Sequence, residues 1–117
     1  MENTLNTQQH FNSEKLKNRV GNNQAIYLQF ITLLQTTLNG QITNMIEELK
    51  ACIDAENFAE LRSVAHKIKG ISLSSSFEIL AHLSSTLEKE TDNNKETLQQ
   101  LLQEITDEVE LLKKLVV

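Results

Sequence analysis

A histidine with positively charged neighbours is the residue of this sequence best suited to chemistry. His66 lies in a run of helix-forming residues, and on a helix Arg62 at i−4 and Lys69 at i+3 are its surface neighbours. Gly70 at i+4 adds no side chain that could cover the ring. A neutral imidazole is a nucleophile, and its unperturbed pKa of about 6.5 keeps much of it neutral near pH 7. The spacing therefore predicts an accessible nucleophilic nitrogen beside two positive charges.

The apolar residues around His66 predict that it faces water. At 100° per residue the apolar side chains of this segment fall on one side of a helix, and His66 points roughly 140° from the middle of their stripe. The residues of the stripe are Phe58, Leu61, Val64, Ala65 and Ile68. A packed helix would hold the imidazole rigidly, which chemistry at a side chain requires.

Composition limits the fold and the classes of function. A chain of 117 residues is long enough for one domain with a buried core. Aromatic residues are only 4%, proline is absent and helix formers dominate, so we expect an all-α protein. The single Cys52 cannot form an internal disulfide, and no apolar run reaches membrane-spanning length, so we expect a cytoplasmic protein. A net charge of -5 argues against nucleic-acid binding.

Turn and cap residues predict where the helices begin and end. Residues 1–12 are polar and aperiodic, which predicts a flexible lead-in or linker before a short helical turn at Ser13. Asn39-Gly40 predicts the end of one helix, with the next beginning at Gln41. Asn57 and Glu60 have capping-box spacing, which predicts the start of the helix that carries His66.

The remaining helices follow the same kind of signal. Ser75 and Glu78 repeat the capping-box spacing, so a helix should begin near Ser76. After Asp92-Asn93-Asn94, an apolar stripe from Leu98 to Val116 predicts a long last helix. Amphipathic helices with short connections predict an antiparallel up-down-up-down four-helix bundle over residues 13–117, with a short N-terminal helical lead-in.

The segment His66-Lys67-Ile68-Lys69-Gly70 resembles the His-x-x-Lys-Gly signature of histidine-containing phosphotransfer (HPt) domains. The family's fold is a four-helix bundle, in agreement with the apolar pattern. The resemblance covers about residues 11–117 and includes Leu61 and Ala65 before the histidine, Leu87-Glu88 in the following helix, and Val20-Gly21-Asn22-Asn23 before a long helix with Phe30. Two positions depart from the family pattern: Ser76 stands where glycine is common, and Leu73 where a small residue is frequent.

The resemblance implies a phosphoryl carrier in a multistep His-Asp phosphorelay. His66 would accept the group from an aspartyl phosphate of a receiver domain and pass it on, with Lys69 beside the phosphoryl oxygens. Gly70 would keep the approach open, and Glu88 matches a side chain near the imidazole on the adjacent helix. Arg62 would join Lys69 in stabilising the roughly -1.5 to -2 charges of a phosphorylated ring.

The expected partners are response-regulator receiver domains, with a hybrid histidine kinase as a further candidate. Their contact surface would include Ala59 and Leu73, and Leu73 would either enlarge that apolar patch or partly shield the ring. The sequence has no carboxylate cluster for Mg²⁺ and no glycine-rich nucleotide loop, so we expect a phosphoryl carrier and no enzyme. We also expect a monomer, because the apolar stripe from Leu98 to Val116 is short for an independent coiled-coil dimer. The carrier would need no cofactor, because Mg²⁺ is expected on the receiver.

Two other functions stay open. A histidine-kinase dimerisation and phosphoacceptor fragment also carries an exposed histidine, but that family usually has an acidic residue right after it and a proline a few residues on. Here Lys67 follows and proline is absent. The second is a helical adaptor that binds a receiver without transferring phosphate. A zinc site is not expected, because no ligand pattern fits the spacing of His10, His66, His82 and Cys52.

Overall fold

The computed structural model describes residues 10–117, which contain helices and turns but no strand. Residues 1–9, the larger part of the predicted lead-in, lie outside the described residues. The all-α class is confirmed. The helices are α1 (Ser13–Arg19), α2 (Gln24–Thr36), α3 (Thr43–Asp54), α4 (Phe58–Ser74), α5 (Glu78–Lys89) and α6 (Lys95–Leu115). No helix of this described part is both long enough and apolar enough to cross a membrane.

The helices α2 and α3 are two parts of one continuous rod. A π-helical turn, Thr37–Ile42, joins them, and the backbone stays right-handed helical on both sides of it. The helix end predicted at Asn39-Gly40 and the new start at Gln41 are therefore wrong. Leu38 and Ile42 are fully buried on either side of Gly40, and this packing outweighs the helix penalty of a glycine, about 1 kcal/mol. At 1.5 Å per residue the rod is about 46 Å long, which matches the 46 Å long dimension of the molecule.

Helices α4, α5 and α6 form a bundle with the α3 half of this rod. Helix α4 lies against α3 and α5, and α6 lies against α5 and α3, so the four enclose one core. The predicted helical bundle is therefore present. Burying each large apolar side chain contributes about 1.5–3 kcal/mol. The fully buried residues include Leu49 of α3, Leu61 and Ile68 of α4, Leu80 and Leu87 of α5, and Leu98, Ile105 and Leu112 of α6.

The caps at the two ends of α4 differ in how well the sequence predicts them. Asn57 begins the helix as predicted, because its Oδ1 accepts a hydrogen bond from the Glu60 backbone N–H at 3.3 Å. The capping box predicted at Ser75 and Glu78 is wrong, because the residue before α5 is Phe77, which makes no side-chain capping bond, and the helix begins at Glu78, two residues after the predicted start. Ser76 instead adopts a left-handed φ of 61°, and the Phe77 N–H donates to the Ser72 carbonyl at 2.9 Å. Ser76 therefore ends α4 in the way a glycine commonly does.

The residues just before α1 pack on the bundle. Phe11 is 6% exposed, and its ring meets the edge of Phe77 with centroids 5.7 Å apart. His10 Nδ1 lies 2.6 Å from the buried Glu108 Oε2 on α6. Within the predicted lead-in of residues 1–12, His10 and Phe11 therefore contact the bundle, and Asn12 caps α1 by accepting a hydrogen bond from the Lys15 N–H at 3.0 Å.

Candidate functional site

Helix α4 presents His66 to solvent, as its spacing predicts. The imidazole side chain is 67% exposed, whereas the neighbouring Ala65 and the next residue back, Val64, are fully buried. The buried face fixes the helix, and the ring stands on the opposite side. His66 is therefore an accessible group on a rigid support.

A carboxylate from α5 contacts the ring. Glu88 Oε2 lies 2.8 Å from His66 Nδ1. An ionised carboxylate can only accept a hydrogen bond, so the neutral ring must carry its proton on Nδ1 and donate it to Glu88. The contact sets both the tautomer and the orientation of the ring, and it leaves the Nε2 lone pair free.

Lys69 meets the other oxygen of the same carboxylate. Its Nζ lies 3.5 Å from Glu88 Oε1, a long ion pair between two half-buried side chains. Partial desolvation pushes the pKa of Glu88 up, but the hydrogen bond from His66 and the positive charge of Lys69 together outweigh it. The pKa of Glu88 is consequently held below its ordinary value, and the group is ionised at neutral pH.

Arg62 makes its hydrogen bonds at the start of α4 and beyond the C-terminal end of α5, and none of them reaches the imidazole. Its Nη1 donates to the Phe58 carbonyl at 3.1 Å. Its Nη2 donates to the Glu90 carbonyl at 2.7 Å and to Asn93 Oδ1 at 2.6 Å. The guanidinium thus connects the beginning of α4 to the segment between α5 and α6, whereas the sequence predicts only a cation beside His66.

Small and apolar residues surround the imidazole on the same side of α4. A Cβ placed on Gly70 would have no neighbour within 4 Å, so the space beside the ring is open. Leu73 is 60% exposed and Ala59 is exposed as well. Because His66 itself remains exposed, Leu73 extends the apolar surface and does not shield the ring.

An apolar groove borders this surface, and the sequence did not predict it. Its volume is about 800 Å³, and it lies between α1, α2 and the last turns of α4. Ile26, Phe30 and Leu33 of α2 form one wall, and they are 40%, 39% and 58% exposed. Their i, i+4, i+7 spacing is a helical stripe that reads as ordinary core until the structure shows α2 extending past the other helices. Leu16 and Arg19 of α1 and Gly70 and Ile71 of α4 also line the groove.

The other candidate metal and nucleophile residues stay apart. In residues 10–117 no three histidine, cysteine, aspartate or glutamate side chains are grouped so that they could hold a metal ion. Cys52 is buried in the core, and His82 is exposed on α5. The site is therefore built around His66, Glu88 and Lys69.

Comparison with protein-family models identifies the family of this chain. The model described as Hpt domain matches residues 29–115, which include the imidazole, the carboxylate and the ammonium of the site. The chain belongs to the Hpt domain family. No curated protein and no solved structure matches the chain significantly.

Membership of the Hpt domain family implies a general function. Hpt domains are helical bundles that take part in histidine-containing phosphotransfer in two-component systems, where they interact with receiver domains. In this Hpt domain the matched span begins at Gln29, within α2. Helix α1 and the first turn of α2, which supply part of the groove, precede the matched span.

Proposed function

We propose that this Hpt domain is a phosphoryl carrier in a multistep His-Asp phosphorelay and that His66 is its phosphoacceptor. The observation that carries the proposal is the 2.8 Å contact between His66 Nδ1 and Glu88, on a ring that is otherwise exposed. A nucleophile needs a free lone pair, a fixed direction and access for its partner. His66 Nε2 combines these three properties.

The transfer step follows from this tautomer. The Nε2 lone pair attacks the phosphorus of an aspartyl phosphate on a receiver, an N–P bond forms, and the bond from phosphorus to the aspartate oxygen breaks. The aspartate leaves as a carboxylate with the bonding electron pair. The proton remains on Nδ1, where the negative charge of Glu88 stabilises the cationic ring. Attack on the phosphohistidine by a second receiver's aspartate reverses these bond changes and passes the group on.

Lys69 would supply positive charge to the phosphoryl group. Its long 3.5 Å contact with Glu88 is weak, and its side chain is 29% exposed, so the ammonium can turn toward an incoming phosphate. Phosphoryl transfer passes through a loose, in-line transition state in which positioning and charge neutralisation supply most of the catalysis. The receiver would contribute Mg²⁺, and this chain would act as a carrier with no cofactor of its own.

We assign the partner surface to the His66 side of α4 together with the apolar groove, and its occupant to a receiver domain. Gly70 belongs to both regions, since it lies one turn from His66 and also lines the groove. A receiver that brings its aspartyl phosphate to Nε2 must therefore lie over the groove mouth. Ala59 and Leu73 would extend the contact along α4. A transient interface of this kind needs only a small apolar area.

Several further expectations go with this function. We propose a cytoplasmic monomer that exchanges phosphate with receivers, including one carried by a hybrid histidine kinase. The three-residue connections before α4 and before α5 support the antiparallel up-down-up-down course, with the continuous rod as the first helix. The adaptor and the kinase-fragment hypotheses remain as the outcomes that the following experiment would reveal.

The direct test is labelling by a phosphorylated receiver, with wild type compared with His66→Gln. We expect acid-labile, alkali-stable label on the wild type and none on the variant, with the same helical circular dichroism for both. Equal labelling of both proteins would contradict the assignment of His66. Receiver binding without labelling of the wild type would favour the adaptor, and a stable dimer in solution would favour the kinase fragment.

A further inference from the structure

Arg62 makes a three-point connection that the transfer step does not use. Its guanidinium reaches the Phe58 carbonyl on its own helix and two oxygens beyond α5, those of the Glu90 backbone and the Asn93 side chain. All three distances lie between 2.6 and 3.1 Å. A planar guanidinium presents its donors in a rigid fork that can bond several oxygens in fixed directions, and the compact ammonium of a lysine does not reproduce this geometry.

The Glu90 carbonyl is an end group of α5. The helix ends at Lys89, and Glu90 has an extended backbone with φ −66° and ψ 122°. Carbonyls at a helix end have no donor from a following turn, so a side chain or water must supply one. Arg62 supplies that donor and thereby caps α5 from the neighbouring helix.

The capped end carries the carboxylate of the site. Glu88 lies two residues before Glu90, in the last turn of α5, where a helix frays first. Arg62 and His66 lie one turn apart on α4. The two contacts between these helices, Arg62 with Glu90 and His66 with Glu88, therefore run side by side.

We propose that Arg62 is a positioning residue for phosphotransfer: by capping α5 it holds Glu88 at hydrogen-bonding distance from His66 Nδ1. The inference rests on the proposed function, because it acts through the contact that prepares the imidazole. It also replaces the role expected from the sequence, in which the charge of Arg62 faces the phosphoryl group. Geometry, and not charge, is then what Arg62 contributes.

Three variants separate the two roles. Arg62→Lys keeps the positive charge but loses the fork, and Arg62→Gln loses both. Asn93→Ala removes one acceptor in an exposed segment without changing any charge or any group at the ring. Lys89→Gln is the matched control, because it removes an exposed positive charge from the last turn of α5 and leaves the Glu90 carbonyl capped.

The measurement that reports on positioning is the tautomer of His66. Long-range ¹H–¹⁵N spectra of the ¹⁵N-labelled full chain, recorded at about pH 8 where an imidazole is neutral, distinguish a proton on Nδ1 from one on Nε2. We expect the Nδ1–H form in the wild type and in Lys89→Gln. Both Arg62 variants should shift the ring toward the Nε2–H form and slow labelling by a phosphorylated receiver about tenfold or more. Asn93→Ala should shift both readouts in the same direction by a smaller amount.

Two results would overturn the positioning role. One is a wild-type tautomer and rate in Arg62→Lys with a slow Arg62→Gln, because charge alone would then explain the effect. The other is an unchanged tautomer in both Arg62 variants. If Arg62→Gln does not fold, the tautomer of His66 in Asn93→Ala still tests the proposal. An unchanged tautomer in folded Asn93→Ala would count against the positioning role. Failure of the proposed function is separate, because the wild type would then show the Nδ1–H tautomer without any labelling.

Discussion

The carboxylate of Glu88 joins His66 and Lys69, with Oε2 lying 2.8 Å from the imidazole Nδ1 and Oε1 lying 3.5 Å from the ammonium. His66 and Lys69 lie one turn apart on α4, and the carboxylate that contacts both of them comes from α5. A lone exposed histidine would choose its tautomer and rotamer freely. Here the contact between α4 and α5 fixes the tautomer and the rotamer of His66 before a partner binds.

Glu88 variants test this connection. We expect Glu88→Ala to lower the rate of phosphoryl transfer about 100-fold, because the ring loses the acceptor that orients it. Glu88→Gln should keep a larger share of the rate, since its amide oxygen can still accept from Nδ1–H. Single-turnover labelling by a phosphorylated receiver measures both. A wild-type rate in Glu88→Ala would show that the contact has no role in transfer.

Lys69 should matter more for transfer than for folding. Replacing it with alanine removes positive charge near the developing phosphoryl charge, and we expect a loss of about 100-fold in rate. Its partly exposed ion pair contributes little to stability, so the free energy of unfolding should change by less than about 1 kcal/mol. Urea unfolding and labelling kinetics on the same sample check both. A large loss of stability with an unchanged rate would reverse the assignment.

The groove predicts which exposed leucine a receiver contacts. Leu33 is 58% exposed and lines the groove, whereas Leu28 on the same helix is 52% exposed and lies outside it. We expect Leu33→Ser to weaken receiver binding about tenfold, equal to about 1.4 kcal/mol of lost apolar contact. Leu28→Ser is the control and should bind as the wild type does. Titration calorimetry with a receiver domain would contradict the groove if the two variants behaved alike.

Ser76 is a position where glycine should stabilise the protein. Its φ of 61° costs a residue with a side chain about 1 kcal/mol, and its buried Oγ has no hydrogen-bond partner. We expect Ser76→Gly to raise the free energy of unfolding by about 1 kcal/mol. Ser75, with an ordinary φ of −96°, is the matched position, and Ser75→Gly should bring no gain. A lower thermal midpoint for Ser76→Gly would show that the hydroxyl is needed.

Glu108 predicts a pH dependence of stability. Burial raises the pKa of this carboxyl, and the hydrogen bond with His10 offsets only part of the rise. A raised folded pKa means that the folded chain binds a proton more tightly than the unfolded chain. The associated stability is therefore present below the ordinary pKa of glutamate, about 4.3, and is lost as pH rises through the folded pKa.

The variant that tests this sign is Glu108→Gln, whose amide oxygen can still accept from His10. We expect it to be more stable than the wild type in urea at neutral pH, with the difference closing as the pH falls toward about 4. Glu104→Gln, an exposed change one turn earlier on α6, should show no such trend. A stability difference for Glu108→Gln that does not vary with pH would contradict the assignment.

The sequence predicts the exposed direction of His66 well because the signals are local. The apolar stripe of α4 fixes which way His66 points, and the Asn57 cap fixes where the helix begins. The continuous rod could not be predicted, since Asn39-Gly40 is a good local stop and only the burial of Leu38 and Ile42 overrides it. At Asn39-Gly40, tertiary packing outweighs the local preference for a helix end.

The hydrogen-bond partners of long side chains also cannot be predicted from helical spacing. Helical spacing gives the direction of a Cβ, but a guanidinium extends several bonds further and takes the best oxygens within reach. Arg62 has the same helical angle as a phosphate-binding residue would have, yet its hydrogen bonds go to Glu90 and Asn93, 28 and 31 residues away in sequence. A similar limit applies to the groove, because the stripe of α2 shows apolar residues without showing what covers them.

The position of the site across α4 and α5, the two helices in most extensive contact, has a consequence for how the protein meets its partners. Because Glu88 already orients the imidazole, less conformational entropy is lost at the ring when a receiver binds. Affinity can then stay low without slowing the chemistry. A carrier that must leave each partner quickly gains turnover from a complex that dissociates as readily as it forms.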